Sequence, residues 1–175
     1  MKKLSLSELN RINTEEFKQK KKVPLIAILD NIRSMNNVGS IFRVADAFAL
    51  KKIYLCGITA TPPNKKITKT ALGATESVDW EYREDVIEIV RELSQKNIKS
   101  FIVEQTDNST MIQNFTPKKE ETIALILGNE IFGVSDTLLS EVAGALEIPQ
   151  FGTKHSLNVS VAAGIVIWEI FKKLL

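Results

Sequence analysis

Residues 145–173 read Ala-Leu-Glu-Ile-Pro-Gln-Phe-Gly-Thr-Lys-His-Ser-Leu-Asn-Val-Ser-Val-Ala-Ala-Gly-Ile-Val-Ile-Trp-Glu-Ile-Phe-Lys-Lys, and their order decides how the chain is read. The segment Leu146-Glu147-Ile148 has the character of a short strand that Pro149 stops, and Gly152 lets the backbone turn where a side chain would obstruct it. A polar loop follows. A helix is expected to begin near Ser156 to Asn158, residue types that satisfy the free N–H groups of a first turn. Val161, Ile165, Trp168 and Phe171 then recur at spacings of three and four, the mark of one helical face. Such a loop and helix start can form a pocket for a polar ligand from backbone N–H groups and the Ser156 and Asn158 side chains. The same residues also suit an ordinary strand, turn and capped helix.

Working outward, residues 25–29 (Leu-Ile-Ala-Ile-Leu) and 123–127 (Ile-Ala-Leu-Ile-Leu) are apolar throughout, as in strands buried on both faces of a parallel sheet. Residues 52–56 and 99–104 read as further strands and 78–82 as a short edge strand. Helices are expected over 38–50, 85–97 and from Ser135 or Asp136 to 142. Asn36 or Asn37 can cap the first of these, and Ile41, Val44, Ala45 and Phe48 form its inward stripe. Residues 107–115 read as a turn-rich connection. Strands alternating with helices define a single α/β domain over 23–175, a parallel sheet flanked by helices. Residues 4–22 read as a polar helical arm, with Leu6, Leu9, Ile12 and Phe17 on one side.

Charge is uneven along the 175 residues. Residues 1–22 carry seven basic side chains against three acidic ones, and the rest carries 16 basic against 18 acidic. A basic arm on a near-neutral body suits a polyanion such as RNA, where neutralised phosphates drive binding, although a solvated tail has the same composition. Arg33 with Lys65, Lys66 and Lys69 could also meet phosphates. No apolar run is long enough to cross a bilayer and residues 1–5 lack the apolar centre of a secretion signal, so a soluble cytoplasmic protein is expected. The single cysteine, Cys56, lies in an apolar run and reads as a buried small hydrophobe. One histidine, His155, without a Cys or carboxylate cluster, disfavours a metal site. The absence of Gly-x-Gly-x-x-Gly after the first strand disfavours a dinucleotide site.

Polar loops leave the ends of the buried strands, where open α/β sheets place their chemistry. Gly128-Asn129-Glu130-Ile131-Phe132-Gly133 sets glycines on either side of a carboxylate. Arg43, on the flank of a helical stripe, suits either a functional role or a surface ion pair with Asp46.

Together these loops resemble the three motifs of the SPOUT superfamily of RNA methyltransferases, specifically the TrmH-like ribose 2′-O-methyltransferases. Asn37-Val38-Gly39-Ser40-Ile41-Phe42-Arg43 is similar to the first motif and Leu127-Gly128-Asn129-Glu130-Ile131-Phe132-Gly133 to the second. Ile148-Pro149-Gln150-Phe151-Gly152-Thr153-Lys154-His155-Ser156-Leu157-Asn158-Val159-Ser160 is similar to the third, and the likeness covers about residues 24–173. The resemblance implies a C-terminal deep trefoil knot, one of the rare exceptions to unknotted topology. It also implies S-adenosylmethionine as cofactor and a homodimer that completes the active site. Carried across, Leu127, Gly128, Asn129, Gly133, Ile148, Gln150, Ser156 and Leu157 would hold the cofactor. Asn37, Arg43, Glu130, Ser156 and Asn158 would carry the reaction, with Arg43 facing the incoming ribose. A guanidinium is a poor base at neutral pH, so Arg43 is expected to polarise the 2′-hydroxyl; His155 is the rival base. The expected substrate is tRNA, with ribosomal RNA second. A non-catalytic RNA-binding knot protein is the alternative from another class.

Overall fold

The computed structural model describes residues 1–5 and 7–174. After α1 (Thr14–Gln19), β1 (Val23–Asp30) leads to α2 (Met35–Ala47), β2 (Leu50–Cys56), α3 (Lys65–Ala71), α4 (Ala74–Ser77) and β3 (Trp80–Arg83). The second half runs α5 (Val86–Gln95), β4 (Lys99–Val103), β5 (Ser109–Met111), β6 (Ile123–Leu127), β7 (Gly144–Glu147) and α6 (Val159–Leu174). The seven strands form one sheet in the order β3-β2-β1-β6-β4-β7-β5, and every neighbouring pair is parallel.

The apolar runs explain the centre. Leu25 to Leu29 and Ile123 to Leu127 are buried along their whole length because helices cover both faces of β1 and β6. On one face Leu25, Ala27 and Leu29 pack with Ile41 and Ala45 of α2 and with Val166, Ile167 and Ile170 of α6. On the other, Ile26 and Ile28 pack with Ile89, Val90 and Leu93 of α5. Strand alternation thus sends neighbouring residues of β1 into two separate cores. Since all strands run the same way, the loops after β1, β6 and β7 emerge at one edge.

Several expected elements take a different form. The arm is not one helix: a 3-10 turn at Ser7–Leu9 is separated from α1 by Asn10, whose φ is +46°, and Asn13 then restarts the helix with a capping box to Glu16. Leu9 and Ile12 are exposed, Phe17 is buried, and Leu6 lies outside the described residues. Lys22 closes over the Phe17 ring, its Nζ 3.3 Å from the ring centroid. The first long helix begins earlier than expected, because Ser34 rather than Asn36 or Asn37 is its cap, Ser34 Oγ accepting from Asn37 N at 3.3 Å. It also ends at Ala47, and Leu50 belongs to β2. The helix expected after Ser135 is only a 3-10 turn at Asp136–Leu138, with Leu138 its single buried residue. Within the turn-rich segment, Ser109–Met111 forms a strand on the β7 edge.

Helices α2 and α3 approach closely enough that Gly39 has no room for a side chain. A Cβ there would fall onto the Thr70 hydroxyl and the Ile67 carbonyl oxygen. Alanine in a helix interior ordinarily gains about 1 kcal/mol over glycine, whereas overpacking costs about 1–3 kcal/mol. The clash involves backbone, so it wins. Gly39→Ala is expected to lower stability by about 1–2 kcal/mol, a fall in Tm of roughly 2–8 °C on thermal denaturation. A Tm that rises would show that the two helices separate freely.

Candidate functional site

The site is built on one carboxylate. Glu130, in the loop after β6, accepts from Arg33 N at 2.9 Å, Ser34 N at 3.0 Å and Asn37 Nδ2 at 2.9 Å. An ionised carboxylate can only accept, so the Asn37 amide must turn its nitrogen toward Glu130 and its oxygen away. That oxygen, Asn37 Oδ1, accepts from Asn158 Nδ2 at 3.1 Å. Asn158 Oδ1 in turn caps α6, accepting from Ser160 N at 2.9 Å and Ser160 Oγ at 2.7 Å. One continuous chain of polar contacts therefore joins residues from three distant segments. Because Ser34 takes the cap of α2, the buried Asn37 side chain is available to be the middle link.

The loop after β6 is itself fixed. Asn129 and Gly133 exchange two backbone hydrogen bonds of 2.9 Å, and Asn129 Oδ1 accepts from Ile131 N at 2.9 Å and Phe132 N at 3.2 Å. Asn129 Nδ2 donates to the Asn31 carbonyl at 2.7 Å, tying the loop to the end of β1. At Gly128 a Cβ would lie 2.5 Å from the Gly133 carbonyl carbon, so only glycine permits this crossing.

A cleft of about 610 Å³ opens beside this network, within the range of about 300–1,000 Å³ common for small-molecule sites. Leu127, Gly128, Asn129, Gly133, Ile148, Gln150, Ser156 and Leu157 all line it, together with Glu130, His155 and Asn158. Val103, Glu104 and Gln105 line it as well, and no motif pointed to them. Val103 ends β4 and the other two follow it; that strand is paired with both β6 and β7, so the position of strand ends in a parallel sheet is the signal that could have found them. Gln105 Nε2 donates to the His155 carbonyl at 3.2 Å and braces the loop before α6.

Other expected site residues lie elsewhere. Arg43 is exposed and is not part of the cleft lining; it borders a groove formed with Ser40, Val44, Phe48 and Lys69. No ion pair to Asp46 forms among the described residues, and Asp46 instead accepts from Ser77 Oγ at 2.5 Å. Lys65, Lys66 and Lys69 are exposed on α3. Arg33 engages Glu130 through its backbone and borders a second cavity, outside the cleft, with Asp30, Ile58, Phe132 and Asp136. Ile41, expected on the inward stripe of α2, is fully buried.

Burial raises the Asp30 carboxyl from its ordinary value, opposed by the hydrogen bond from Asn31. Burial pushes the Cys56 thiol up to about 12, so it is protonated at neutral pH. For Glu130, burial raises the pKa, but the N–H groups of Arg33 and Ser34 and the Asn37 amide outweigh it and hold the carboxyl below its usual range. Among the described residues no helix is long and apolar enough to cross a membrane, and no group of three His, Cys, Asp or Glu could hold a metal ion.

Residues 24–168 match the model of the SpoU rRNA Methylase family. The chain is 32% identical over 149 residues to the 23S rRNA (guanosine(2553)-2′-O)-methyltransferase RlmP of Bacillus subtilis, covering 83% of this chain and 57% of that protein. It is 30% identical over 174 residues to the 23S rRNA (guanosine-2′-O-)-methyltransferase RlmB of Haemophilus ducreyi, covering 96% and 68% respectively. Among solved structures, the AdoMet-bound rRNA methyltransferase from Sinorhizobium meliloti superposes with a TM-score of 0.81 at 24% identity, over 91% of this chain and 60% of that one. The TrmH/SpoU tRNA modifying enzyme of A. aeolicus gives 0.79 at 24% identity, over 91% and 79%. The chain thus spans 57% to 68% of the length of these two curated relatives.

The depressed Glu130 carboxyl gives a pH test. Its folded pKa lies below the unfolded one, so its stabilisation is present above the unfolded value and is lost as pH falls through the folded value. Glu130→Gln is expected to cost about 1–3 kcal/mol at neutral pH, because an amide group then faces an N–H donor. In thermal melts the gap between the two proteins should narrow as pH drops below the ordinary carboxylate range; a gap independent of pH would mean that charge does not matter there.

Proposed function

Since the chain belongs to the SpoU rRNA Methylase family, we propose that it is an S-adenosylmethionine-dependent RNA methyltransferase acting on a ribose 2′-hydroxyl. The observation that carries this reading is the Glu130–Asn37–Asn158 chain beside the cleft, which draws all three motifs together. Ribosomal RNA is the proposed substrate, and guanosine the nucleoside, because the two curated relatives are named for both. Transfer RNA is the second reading, favoured less because the relatives named for both RNAs are only 28% identical.

The cleft suits the cofactor. Leu127, Ile148 and Leu157 offer apolar walls, Asn129, Gln150 and Ser156 offer polar groups, and Gly128 leaves bare backbone at the end of β6. When bound there, S-adenosylmethionine supplies a methyl group made electrophilic by its sulfonium. The protein's task is alignment and charge stabilisation. Asn37, buried and outside the cleft lining, is a positioning residue: its amide joins Glu130 to Asn158, and those two side chains line the cleft. Arg43 stabilises the developing alkoxide, as the sequence reading proposed for a guanidinium.

Arg43 lies off the cleft of its own chain, so we assign it to the cleft of a second copy. Support comes from the face next to it. Val161, Ile165 and Trp168 on α6 are 51%, 39% and 48% exposed, and the Trp168 and Phe171 rings stack near Phe48, which shares the Arg43 groove. A homodimer closing on this face buries apolar area and carries Arg43 across. The same reading places the C-terminal segment in a trefoil knot, supported by the insertion of β6 between β1 and β4 and of β7 between β4 and β5.

Arg43→Ala is expected to lower methyl transfer to ribosomal RNA by about 100-fold or more while leaving S-adenosylhomocysteine binding by calorimetry unchanged. Full activity would remove Arg43 from the reaction, and RNA binding without transfer by the unaltered protein would favour the non-catalytic alternative. Trp168→Arg is expected to give a monomer in sedimentation at micromolar concentration. Mixing the inactive Arg43→Ala and Asn158→Ala proteins should restore transfer through mixed dimers; mixtures that stay inactive would place both residues at one chain's cleft.

A further inference from the structure

The cleft is one side of a wall. Residues 129–133 form that wall, and Asn129, Phe132 and Gly133 line both the cleft and the second cavity of about 530 Å³ beyond it. Phe132 stands at the crest, 83% exposed, where a large ring lowers stability unless something covers it. Its backbone N–H donates to Asn129 Oδ1 at 3.2 Å, which fixes where the side chain leaves the loop. Across the cavity Ile58 is also exposed, and its N–H donates to Asn31 Oδ1 at 3.1 Å. Asn31 and Asn129 are themselves bonded, Asn129 Nδ2 to the Asn31 carbonyl. Two apolar jaws therefore sit on one amide frame, and the lining also holds Arg33, the exposed Asp136 and the buried Asp30, whose Oδ1 accepts from Asn31 Nδ2 at 2.8 Å.

We infer that this second cavity is a nucleobase pocket, in which Phe132 stacks on the guanine of the nucleotide whose ribose enters the cleft. The inference rests on the RNA methyltransferase reading and adds the residues that select the base. A ribose presented over the wall must drop its base on the far side, which is this cavity. An exposed aromatic ring is sequence-tolerant by itself, because every base has a π-face. Selection falls to the edge. The carboxylate of the exposed Asp136 offers acceptors, and guanine offers two adjacent donors, N1–H and the exocyclic amine, whereas adenine and cytosine put a ring acceptor at the matching place. The Arg33 guanidinium suits the phosphate joined to such a nucleoside.

The test uses guanosine 5′-monophosphate as the probe, with S-adenosylhomocysteine present to fill the cleft, and reads saturation-transfer difference NMR. Saturation of the guanine H8 proton is expected with the unaltered protein, reduced roughly tenfold in Phe132→Ala and retained in Phe132→Tyr. Asp136→Asn should erase the preference for guanosine over adenosine 5′-monophosphate. Thermal melts confirm that each variant is folded, since Phe132 and Asp136 are exposed. No H8 saturation, or equal saturation in Phe132→Ala, overturns the inference. A Phe132→Ala change that alters sedimentation while the nucleotide stays silent identifies a protein-docking tip and overturns it too. Calorimetry with S-adenosylhomocysteine separates the two readings: absence of binding there defeats the methyltransferase proposal, whereas the nucleotide signal is judged without it.

Discussion

The architecture of the site depends on a carboxylate that, among the described residues, has no partner of opposite formal charge. Glu130 is satisfied by two backbone N–H groups and one amide, all from the segment after β1. Hydrogen bonds to an ionised acceptor are individually stronger than neutral ones, and three of them suffice to overcome the burial that would otherwise favour protonation. The geometry exists only because β1 and β6 are hydrogen-bonded neighbours, Leu29 opposite Leu127, so that their following loops leave the sheet side by side. Sheet register thus sets the charge network, and the network sets which way the Asn37 amide points. From there the constraint passes to Asn158 and so to the first turn of α6.

A fixed polar chain beside a cleft explains binding geometry more readily than it explains proton chemistry. Glu130 has its oxygens occupied, Cys56 is buried and protonated, and Asp30 lies beyond the wall. The strong cation that could steady an alkoxide, Arg43, borders a groove with Phe48, whose ring lies 5.7 Å from that of Trp168 on α6. In the proposed homodimer, the position of Arg43 off the cleft and the exposed apolar residues of α6 would have one explanation.

Much of this was legible in the chain itself. Continuous apolar runs at 25–29 and 123–127 became the central strands, and the three polar loops that follow strands came together at one edge. What local pattern did not settle was decided by contacts far along the chain. Ser34, Asn36 and Asn37 are all competent caps; Ser34 takes the role while Asn37 bonds Glu130, 93 positions away. Ser109–Met111 is a strand because β7 offers an open edge, not because three residues have a propensity of their own. The segment after Ser135 lacks a second buried turn to repay helix nucleation, so it stops as a 3-10 turn. In the arm, Asn10 and the Asn13–Glu16 box break what composition alone reads as one helix. Periodicity placed Arg43 on α2 but could not say that it leaves the cleft.

The wall between the two cavities shows why rigidity was placed there. A loop tip carrying Ile131 and Phe132 into solvent forfeits apolar burial, yet it is among the most tightly bonded turns near the site, with Asn129 serving both its own N–H groups and the end of β1. An ordered tip that buries nothing has already lost the conformational entropy that a ligand would otherwise have to remove. Stability alone would select either a buried ring or a small polar residue at such a position. That Phe132 is held out, and that Gly128 has given up its side chain so the strand can cross beneath it, argues that the tip is organised for what it meets and not for the fold that carries it.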